Sequence, residues 1–245
     1  MFTPAPRIEW PARAELLECL RNAFLLSTAV LVLVLPTKHP NHLQRPMVAA
    51  TATAGHAATT RADADFKGQA ASPDAKQLAQ WVARSGDNHQ LNFVILDKRD
   101  ARVFVFDREA QLIGATPVLL GAAAGDNSVI GIGKRPIADV LPEERTTPAG
   151  RFDAEPGRNS GGEDVLWVDY DAAVSMHRVR IVDPLERRLE RLATPTPTDN
   201  RISYGCINVP VRFFEDTIAR TFKGKRGVVY VLPEVKPLRT VFPEI

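Results

Sequence analysis

The sequence has few cysteines and no long runs of like charge. Only two of its 245 residues are cysteine, which excludes a disulfide-stapled scaffold and any zinc site built from several thiolates. Its 31 basic and 29 acidic residues nearly cancel, and no run of five like charges occurs. A nucleic-acid partner and a polybasic membrane-surface role are therefore excluded. No internal repeat is present, so we expect one catalytic-sized domain that is smaller than the chain.

The amino-terminal part has the features of an export signal. Residues 23–35, AFLLSTAVLVLVL, form an apolar run that follows three arginines. This pattern predicts a signal peptide or membrane anchor over residues 1–36. A small-x-small cleavage motif at residues 52–54 lies far beyond the run, which favours an anchor; a buried helix of a soluble core is the alternative. We expect a cell-envelope protein, periplasmic and either anchored to the inner membrane or secreted across it.

The rest of the chain divides by composition. Residues 37–73 are rich in Ala and Thr and predict a disordered linker, because they offer too little apolar surface to offset the entropy of ordering. A short helix is expected over residues 74–90, a catalytic domain over 91–235 and a tail over 236–245. The domain is expected to be mainly β with one packing helix (α+β), the helix covering residues 211–222. Strands are expected at residues 91–97, 101–107, 111–121, 150–152, 164–170 and 228–232.

Elimination leaves one cysteine as a candidate nucleophile. Cys19 precedes the apolar run, so in an exported protein it cannot pair with Cys206. Cys206 is then a lone thiol that is structural, bridges two molecules or reacts as a nucleophile. The sequence favours the nucleophile, because Cys206 lies just before a helix expected from about Val209, whose positive end would favour the thiolate. Gly205 would let a substrate approach the backbone closely.

A cysteine nucleophile needs a base, which is usually histidine. Three of the five histidines lie in the expected linker, which leaves His89 and His177. His177 is the better candidate because it follows a strand-like run, whereas His89 stands in a turn. One Cys and one His do not make a metal site without further ligands, and none occurs at ligand spacing.

These residues resemble a known family. The segment Thr147-Pro148-Ala149-Gly150-Arg151-Phe152, then His177, then Ser203-Tyr204-Gly205-Cys206-Ile207 is similar to the catalytic domain of the L,D-transpeptidases, the YkuD family. The resemblance covers roughly residues 90–235. In papain-like enzymes the nucleophile precedes its histidine, whereas here the histidine comes first.

The resemblance implies a YkuD-like, β-sandwich-type catalytic domain that acts on peptidoglycan stem peptides. Cys206 would be the nucleophile and His177 the general base, with no metal or organic cofactor. The thiolate would displace D-Ala from the carbonyl of the third residue, and an amine would resolve the thioester. Water in place of the amine would make the protein a carboxypeptidase, and a non-catalytic wall-binding module is a further alternative. Backbone N–H groups around Tyr204 and Gly205 would stabilise the oxyanion.

The sequence departs from the family pattern around both residues. His177 is followed by Arg178 where the family has Gly, and Tyr204 stands where a His usually precedes Gly-Cys. The Arg that commonly follows the Cys by two positions is Asn208, which would be the N-cap of the helix. We therefore expect the pocket to be lined by Ser203 and Asn208. The missing guanidinium would come from Arg178, Arg201 or Arg212.

The interval between His177 and Cys206 is longer than is usual in the family. The segment of residues 178–200 contains a helix-like PLERRLERL stretch and a proline-rich loop. It predicts either a lid that restricts the acceptor and sheds water or a surface insertion without a role.

Overall fold

The computed structural model describes residues 63–245. The signal or anchor expected over residues 1–36, and residues 37–62 of the linker expected over 37–73, lie outside these residues. Within residues 63–245, none of the helices is both long and apolar enough to span a bilayer.

The domain is built on one eight-stranded mixed sheet. In chain order the strands are β1 (Phe93–Asp97), β2 (Arg102–Phe106), β3 (Leu112–Pro117), β4 (Leu120–Gly121), β5 (Gly150–Arg158), β6 (Asp164–Asp169), β7 (Val174–Arg178), β8 (Arg201–Ser203), β9 (Ile207–Val209) and β10 (Gly227–Val231). The large sheet has the order β3-β2-β1-β10-β5-β6-β7-β9, and β4 pairs with β8 in a small parallel sheet. The pairs β1–β10 and β7–β9 are parallel, and the other neighbours in the large sheet are antiparallel.

Within residues 63–245, four helices accompany the sheet. They are α1 (Pro73–Ser85), α2 (Arg188–Ala193), α3, which runs as Val211–Phe213, a π-helical Phe214–Ile218 and Ala219–Thr221, and α4 (Leu238–Val241). Short 3-10 turns cover Ile132–Lys134, Ile137–Asp139, Pro142–Glu144, Pro184–Glu186 and Pro197–Asn200. The mainly β class with packing helix is confirmed by this arrangement.

The central strands are buried on both faces. Side chains alternate along β1, so that Val94 and Leu96 pack on the face covered by α3, and Phe93 and Ile95 pack on the face covered by α1. Every residue of β1 and β10 is buried. These two strands pair in parallel at the middle of the domain, where helices cover both faces of the sheet.

Helix α1 begins and ends at clear capping residues. The Ser72 hydroxyl accepts from the Ala75 N–H at 3.1 Å, Pro73 takes the first helical position, and Gly86 ends the helix with φ +72°. A short helix was expected over residues 74–90; α1 spans Pro73–Ser85 and stops there because Gly86 adopts the left-handed conformation.

The domain is larger than residues 91–235 at both ends. Phe66 packs edge-on against Phe104 and Phe106 in β2, and Asp65 bridges to Gln111. Residues 63–72 are thus ordered, and the linker expectation is wrong there because Phe66 supplies the apolar surface that its neighbours lack. The tail expectation over residues 236–245 is also wrong, since Leu238 and Phe242 are buried against the face covered by α1.

A buried ion cluster connects the loops at one end of the sheet. Lys98 has a fully buried side chain, and its Nζ donates to Asp126 Oδ1 at 2.8 Å and to the Thr147 carbonyl at 2.8 Å. Glu234 pairs with both Lys98 and Arg201. Two cations and two carboxylates therefore neutralise one another, which is the condition for burying charge in a protein interior.

Candidate active site

Ser203-Tyr204-Gly205-Cys206 form a tight turn between β8 and β9, here called the nucleophile turn. The Ser203 hydroxyl accepts from the Gly205 N–H at 3.1 Å and donates to the Cys206 carbonyl at 2.6 Å. Gly205 has φ +126°, and a Cβ there would lie 2.7 Å from the Thr146 carbonyl oxygen. Both the positive φ and the lack of room for a Cβ therefore require glycine at this position.

Thr147 is hydrogen-bonded to the nucleophile turn. Its side chain is fully buried, and its Oγ1 donates to the Gly205 carbonyl at 2.8 Å while accepting from the Gly121 N–H at 3.0 Å. Lys98 donates to the carbonyl of the same threonine. The threonine of the TPAG segment therefore fixes the peptide bond that precedes Cys206.

Cys206 and His177 are brought to one face of the sheet by the parallel pairing of β7 and β9. Met176 pairs with Ile207 and His177 with Asn208. Because side chains alternate along a strand, Ser175 and His177 share the face that Cys206 occupies. Ser175 Oγ lies 3.8 Å from Cys206 Sγ, and the Ala173 carbonyl accepts from the thiol at 3.6 Å. The structure thus unites the two residues that the sequence selected from two cysteines and five histidines.

The His177 ring is oriented by a backbone group. Its Nδ1 lies 2.7 Å from the Arg178 carbonyl oxygen. A carbonyl only accepts hydrogen bonds, so Nδ1 carries the proton in the neutral ring and Nε2 has the free lone pair of a base. The residue type at position 178 is immaterial to this contact, because the backbone makes it.

His177 tunes the acidity of the thiol. Burial by itself would raise the pKa of Cys206, but the hydrogen bond and charge of His177, with a smaller contribution from Ser175, lower it below the ordinary value for cysteine. Cys206 is half-buried, so the thiol keeps access to solvent. A depressed thiol pKa beside a histidine is the usual arrangement for a cysteine nucleophile.

The expectation that a helix begins beside Cys206 is wrong. Strand β9 separates Cys206 from α3, which begins only at Val211 after Pro210. Asn208 therefore lies inside a strand and is not a helix cap; its backbone N–H and C=O bond to Leu119 at 2.9 Å each. The acidity of the thiol comes from His177 and Ser175 and not from a helix dipole.

Two backbone N–H groups of the nucleophile turn, those of Tyr204 and Cys206, have no acceptor within residues 63–245. The Gly205 N–H, which was expected to help stabilise the oxyanion, is already bonded to Ser203. Tyr204 is 42% exposed, and the Arg145 guanidinium stacks on its ring at 4.1 Å. This stacking holds Tyr204 at the rim of the site.

The arginines proposed as substitutes for the missing guanidinium lie elsewhere. Arg178 points to the opposite face of β7, where it pairs with Glu215 at 2.5 Å and stacks on Phe214. Arg201 is held by Glu234 and the Lys98 carbonyl. Arg212 lies in the exposed first turn of α3. None of the three is brought to Cys206.

Ser203 and Asn208 are both at the site. Both are buried and both bond to the Cys206 carbonyl, the Asn208 Nδ2 at 3.2 Å. They therefore support the nucleophile turn. Ser175 was missed by the sequence reasoning, although its position two residues before His177 on a strand was a usable signal.

His89 is not part of the site. It stands exposed in the turn after α1 with φ +50°. The choice of His177 over His89, made from local pattern alone, agrees with the positions of the two side chains.

A separate apolar groove of about 320 Å³ lies between the β5–β6 hairpin and α3. Its floor is formed by Leu166, Phe214 and Phe222, and Arg158 and Lys223 are also among its lining residues. It shares no residue with the nucleophile turn.

No protein-family model and no curated protein sequence matches the chain. Among solved structures, the catalytic domain of the E. faecium L,D-transpeptidase matches with 16% identity over 58% of this chain and 98% of its own, at a TM-score of 0.33. LdtMt1, an LD transpeptidase in complex with imipenem, matches with 16% identity over 58% of each chain, at a TM-score of 0.33.

A third match is a fused Zn-dependent amidase/peptidase/peptidoglycan-binding domain-containing protein from Clostridium acetobutylicum. It has 19% identity over 69% of this chain and 64% of its own, at a TM-score of 0.36. The chain spans less than two thirds of this protein and of LdtMt1. Likeness at this level assigns no role to any residue. The chain is similar to L,D-transpeptidase catalytic domains of solved structure, the family that its motifs resemble.

Proposed function

We propose that the protein is a cysteine acyltransferase with Cys206 as nucleophile and His177 as general base. One observation carries the proposal: the Cys206 thiol lies on the face shared by Ser175 and His177, with its pKa lowered by the imidazole. The backbone carbonyl of Arg178 leaves His177 Nε2 free to accept the thiol proton. Nucleophile, base and orienting group are the three parts of a nucleophilic acyl-transfer site.

The first half-reaction follows from these groups. His177 takes the thiol proton, and Cys206 Sγ attacks the substrate carbonyl carbon. The N–H groups of Tyr204 and Cys206 receive the developing oxyanion, at about 3–4 kcal/mol per donor in comparable sites. When the C–N bond breaks, the protonated His177 returns its proton to the leaving amine. The enzyme is left as a thioester, and this chemistry uses only the residues named.

The substrate class in this proposal is the peptidoglycan stem peptide. Its support is the order of the TPAGRF segment, His177 and the SYGC segment along the chain, each of which lies at the site. The thiolate would attack the carbonyl of the third residue and release D-Ala. An amine acceptor would then resolve the thioester as a cross-link, and water would resolve it as a carboxypeptidase.

Intact-protein mass spectrometry with a carbapenem tests the nucleophile. LdtMt1 was solved with imipenem, which makes this compound a suitable probe. We expect one covalent adduct on the wild-type full chain and on Cys19→Ser, which removes the other thiol. Cys206→Ala should form none. An adduct on Cys206→Ala, or no adduct on any variant, would contradict the proposal.

Product analysis distinguishes transfer from hydrolysis. Tetrapeptide muropeptides incubated with the protein should yield cross-linked dimers and free D-Ala, whereas a hydrolase would yield tripeptides and free D-Ala without dimers. A wall-binding module would retain muropeptide binding in Cys206→Ala and show no turnover in any variant.

Export to the cell envelope is part of the proposal. Residues 1–36 carry the signal or anchor pattern, and stem peptides lie outside the inner membrane. A reporter enzyme that is active only in the periplasm should become active when fused after residue 62. Deleting residues 23–35 should abolish that activity while leaving the amount of fusion protein unchanged.

A further inference from the structure

The 178–200 segment contacts strand β9, next to the nucleophile turn, through an arginine whose side chain is largely buried. Arg188, at the start of α2, donates from Nη1 to Asn208 Oδ1 at 2.9 Å. Its Nε donates to Glu186 Oε2 at 2.6 Å, and the side chain is only 10% exposed. The guanidinium is therefore held by two partners on different segments, one of them two residues beyond Cys206.

The contact continues from Asn208 to the nucleophile itself. Asn208 is 1% exposed, and its Nδ2 donates to the Cys206 carbonyl at 3.2 Å. A carboxamide has one acceptor end and one donor end. Because the guanidinium can only donate, it holds the oxygen end of Asn208 and thereby directs the NH2 end at Cys206. An unbroken path of hydrogen bonds runs from Glu186 through Arg188 and Asn208 to the nucleophile.

The rest of the segment is packed so that this contact is maintained. Leu192 of α2 is buried with Leu119 and Val179. Arg191 donates to the Glu186 carbonyl at 2.7 Å and to the Asp199 carbonyl at 2.6 Å, which ties residues on both sides of α2 to the helix. Arg188 therefore extends from a helix that packs against the domain and not from a free loop.

We propose that Arg188 is a positioning residue for Cys206: through Asn208 it sets the orientation of the Cys206 peptide and so the placement of Sγ against His177. This deepens the proposed function and rests on Cys206 being its nucleophile. It also gives the 178–200 segment a role, which is to support the site from the side. Loss of the Arg188 contact would free the carboxamide to rotate and loosen the nucleophile turn.

Alkylation of Cys206 by iodoacetamide tests the proposal without any substrate. All variants are made in the full chain with Cys19→Ser, so that Cys206 is the single thiol. The alkylation rate constant is measured by intact mass between pH 5 and 9, and the thermal unfolding midpoint is measured alongside. Arg187→Met is the matched control, because Arg187 pairs with Glu190 on the exposed side of the same helix.

We expect Arg188→Met and Asn208→Ala each to slow alkylation at neutral pH by about tenfold, with the pH profile moved to higher pH. Arg187→Met should match the parent. The double variant Arg188→Met/Asn208→Ala should be no slower than the slower single variant, because both changes remove one path. Alkylation of Arg188→Met at the rate of Arg187→Met, or effects that multiply in the double variant, would overturn the proposal.

If Arg188→Met does not fold, Arg188→Lys provides a second test of the same proposal. Lysine keeps the charge but cannot place separate nitrogens on Asn208 and Glu186. We expect a reduced rate relative to Arg187→Lys at the same unfolding midpoint, and equal rates would refute the positioning role. Failure of the acyltransferase function is distinguishable: the wild type would then form no carbapenem adduct, whatever the alkylation rates are.

Discussion

His177 lowers the pKa of the Cys206 thiol, and its effect on the reactivity of Cys206 can be tested at the level of single residues. Its hydrogen bond and charge lower the pKa of the thiol against the opposing effect of burial. In His177→Ala, the pH profile of Cys206 alkylation should move to higher pH, because less thiolate exists at neutral pH. Ser175→Ala should produce a smaller shift in the same direction. Mass-spectrometric alkylation in a Cys19→Ser background measures both.

His89→Ala is the matched control for this prediction, because His89 lies exposed in a turn outside the site. A profile that is unchanged in His177→Ala would show that another group activates the thiol.

Gly205 is the residue at which backbone conformation is most demanding. With φ +126° and the Thr146 carbonyl 2.7 Å from the position of a Cβ, an alanine has neither the conformation nor the space. Gly205→Ala should lower the free energy of unfolding by at least about 1–3 kcal/mol and abolish carbapenem adduct formation. Urea denaturation and intact mass measure these effects.

Gly162→Ala provides the comparison for Gly205→Ala. Gly162 also has a positive φ, +77°, but a Cβ there meets nothing within 4 Å. Gly162→Ala should lower the free energy of unfolding by only about 1 kcal/mol, because of backbone strain, and should leave adduct formation unchanged. Equal effects at the two positions would contradict the steric account of the nucleophile turn.

Among the structural elements, α2 shows how a short helix is stabilised by a single apolar contact. Leu192 is 9% exposed and packs with Leu119 and Val179, whereas Leu185 of the same segment is 87% exposed. Leu192→Ala should lower the free energy of unfolding by about 2 kcal/mol, the low end for a buried leucine, because the cluster is small. Leu185→Ala should leave it unchanged within about 0.5 kcal/mol.

Limited proteolysis adds a local measurement to this prediction. Loosening α2 in Leu192→Ala should expose the arginines of the 178–200 segment to trypsin, with cleavage faster than in Leu185→Ala. Equal cleavage rates would mean that the ion pairs alone hold the segment.

The elements were predictable from sequence to different degrees. Strands such as Phe93–Asp97 and Arg102–Phe106 carry long apolar runs and were located closely. The strands β8 and β9, three residues each, were missed, because so short a stretch holds no periodicity. Asn208 was assigned to a helix cap for this reason; only pairing with β7 and with Leu119 makes it part of a strand.

The acid sensitivity of the whole molecule should depend on the buried ion cluster. Burial would raise the pKa of Asp126, but Lys98 and the backbone N–H groups of Glu234 and Lys236 lower it to about 2 from an ordinary 3.8. The folded state therefore binds this proton more weakly than the unfolded state. The resulting stabilisation is complete above about pH 4 and is lost as the pH falls towards 2.

Asp126→Asn should remove this part of the pH dependence and destabilise the domain at neutral pH, because Lys98 loses its closest carboxylate. Asp139→Asn, at an exposed position, is the control. Urea unfolding at several pH values between 2 and 7 measures the effect. A variant whose stability falls with acid as steeply as that of the parent would refute the assignment.

The order of motifs along the chain, the choice of Cys206 and His177, and the mainly β class were all determined by the sequence alone. Residue type and strand periodicity are local properties, and both can be read without coordinates. The tertiary structure decided which groups surround the thiol. Arg178 and His177 are neighbours in sequence but project from opposite faces of one strand. Ser175 and Thr147 come to the nucleophile turn from distant segments, and Arg188 comes to Asn208 beside it. Those contacts arise from strand pairing and burial, which depend on the whole chain at once.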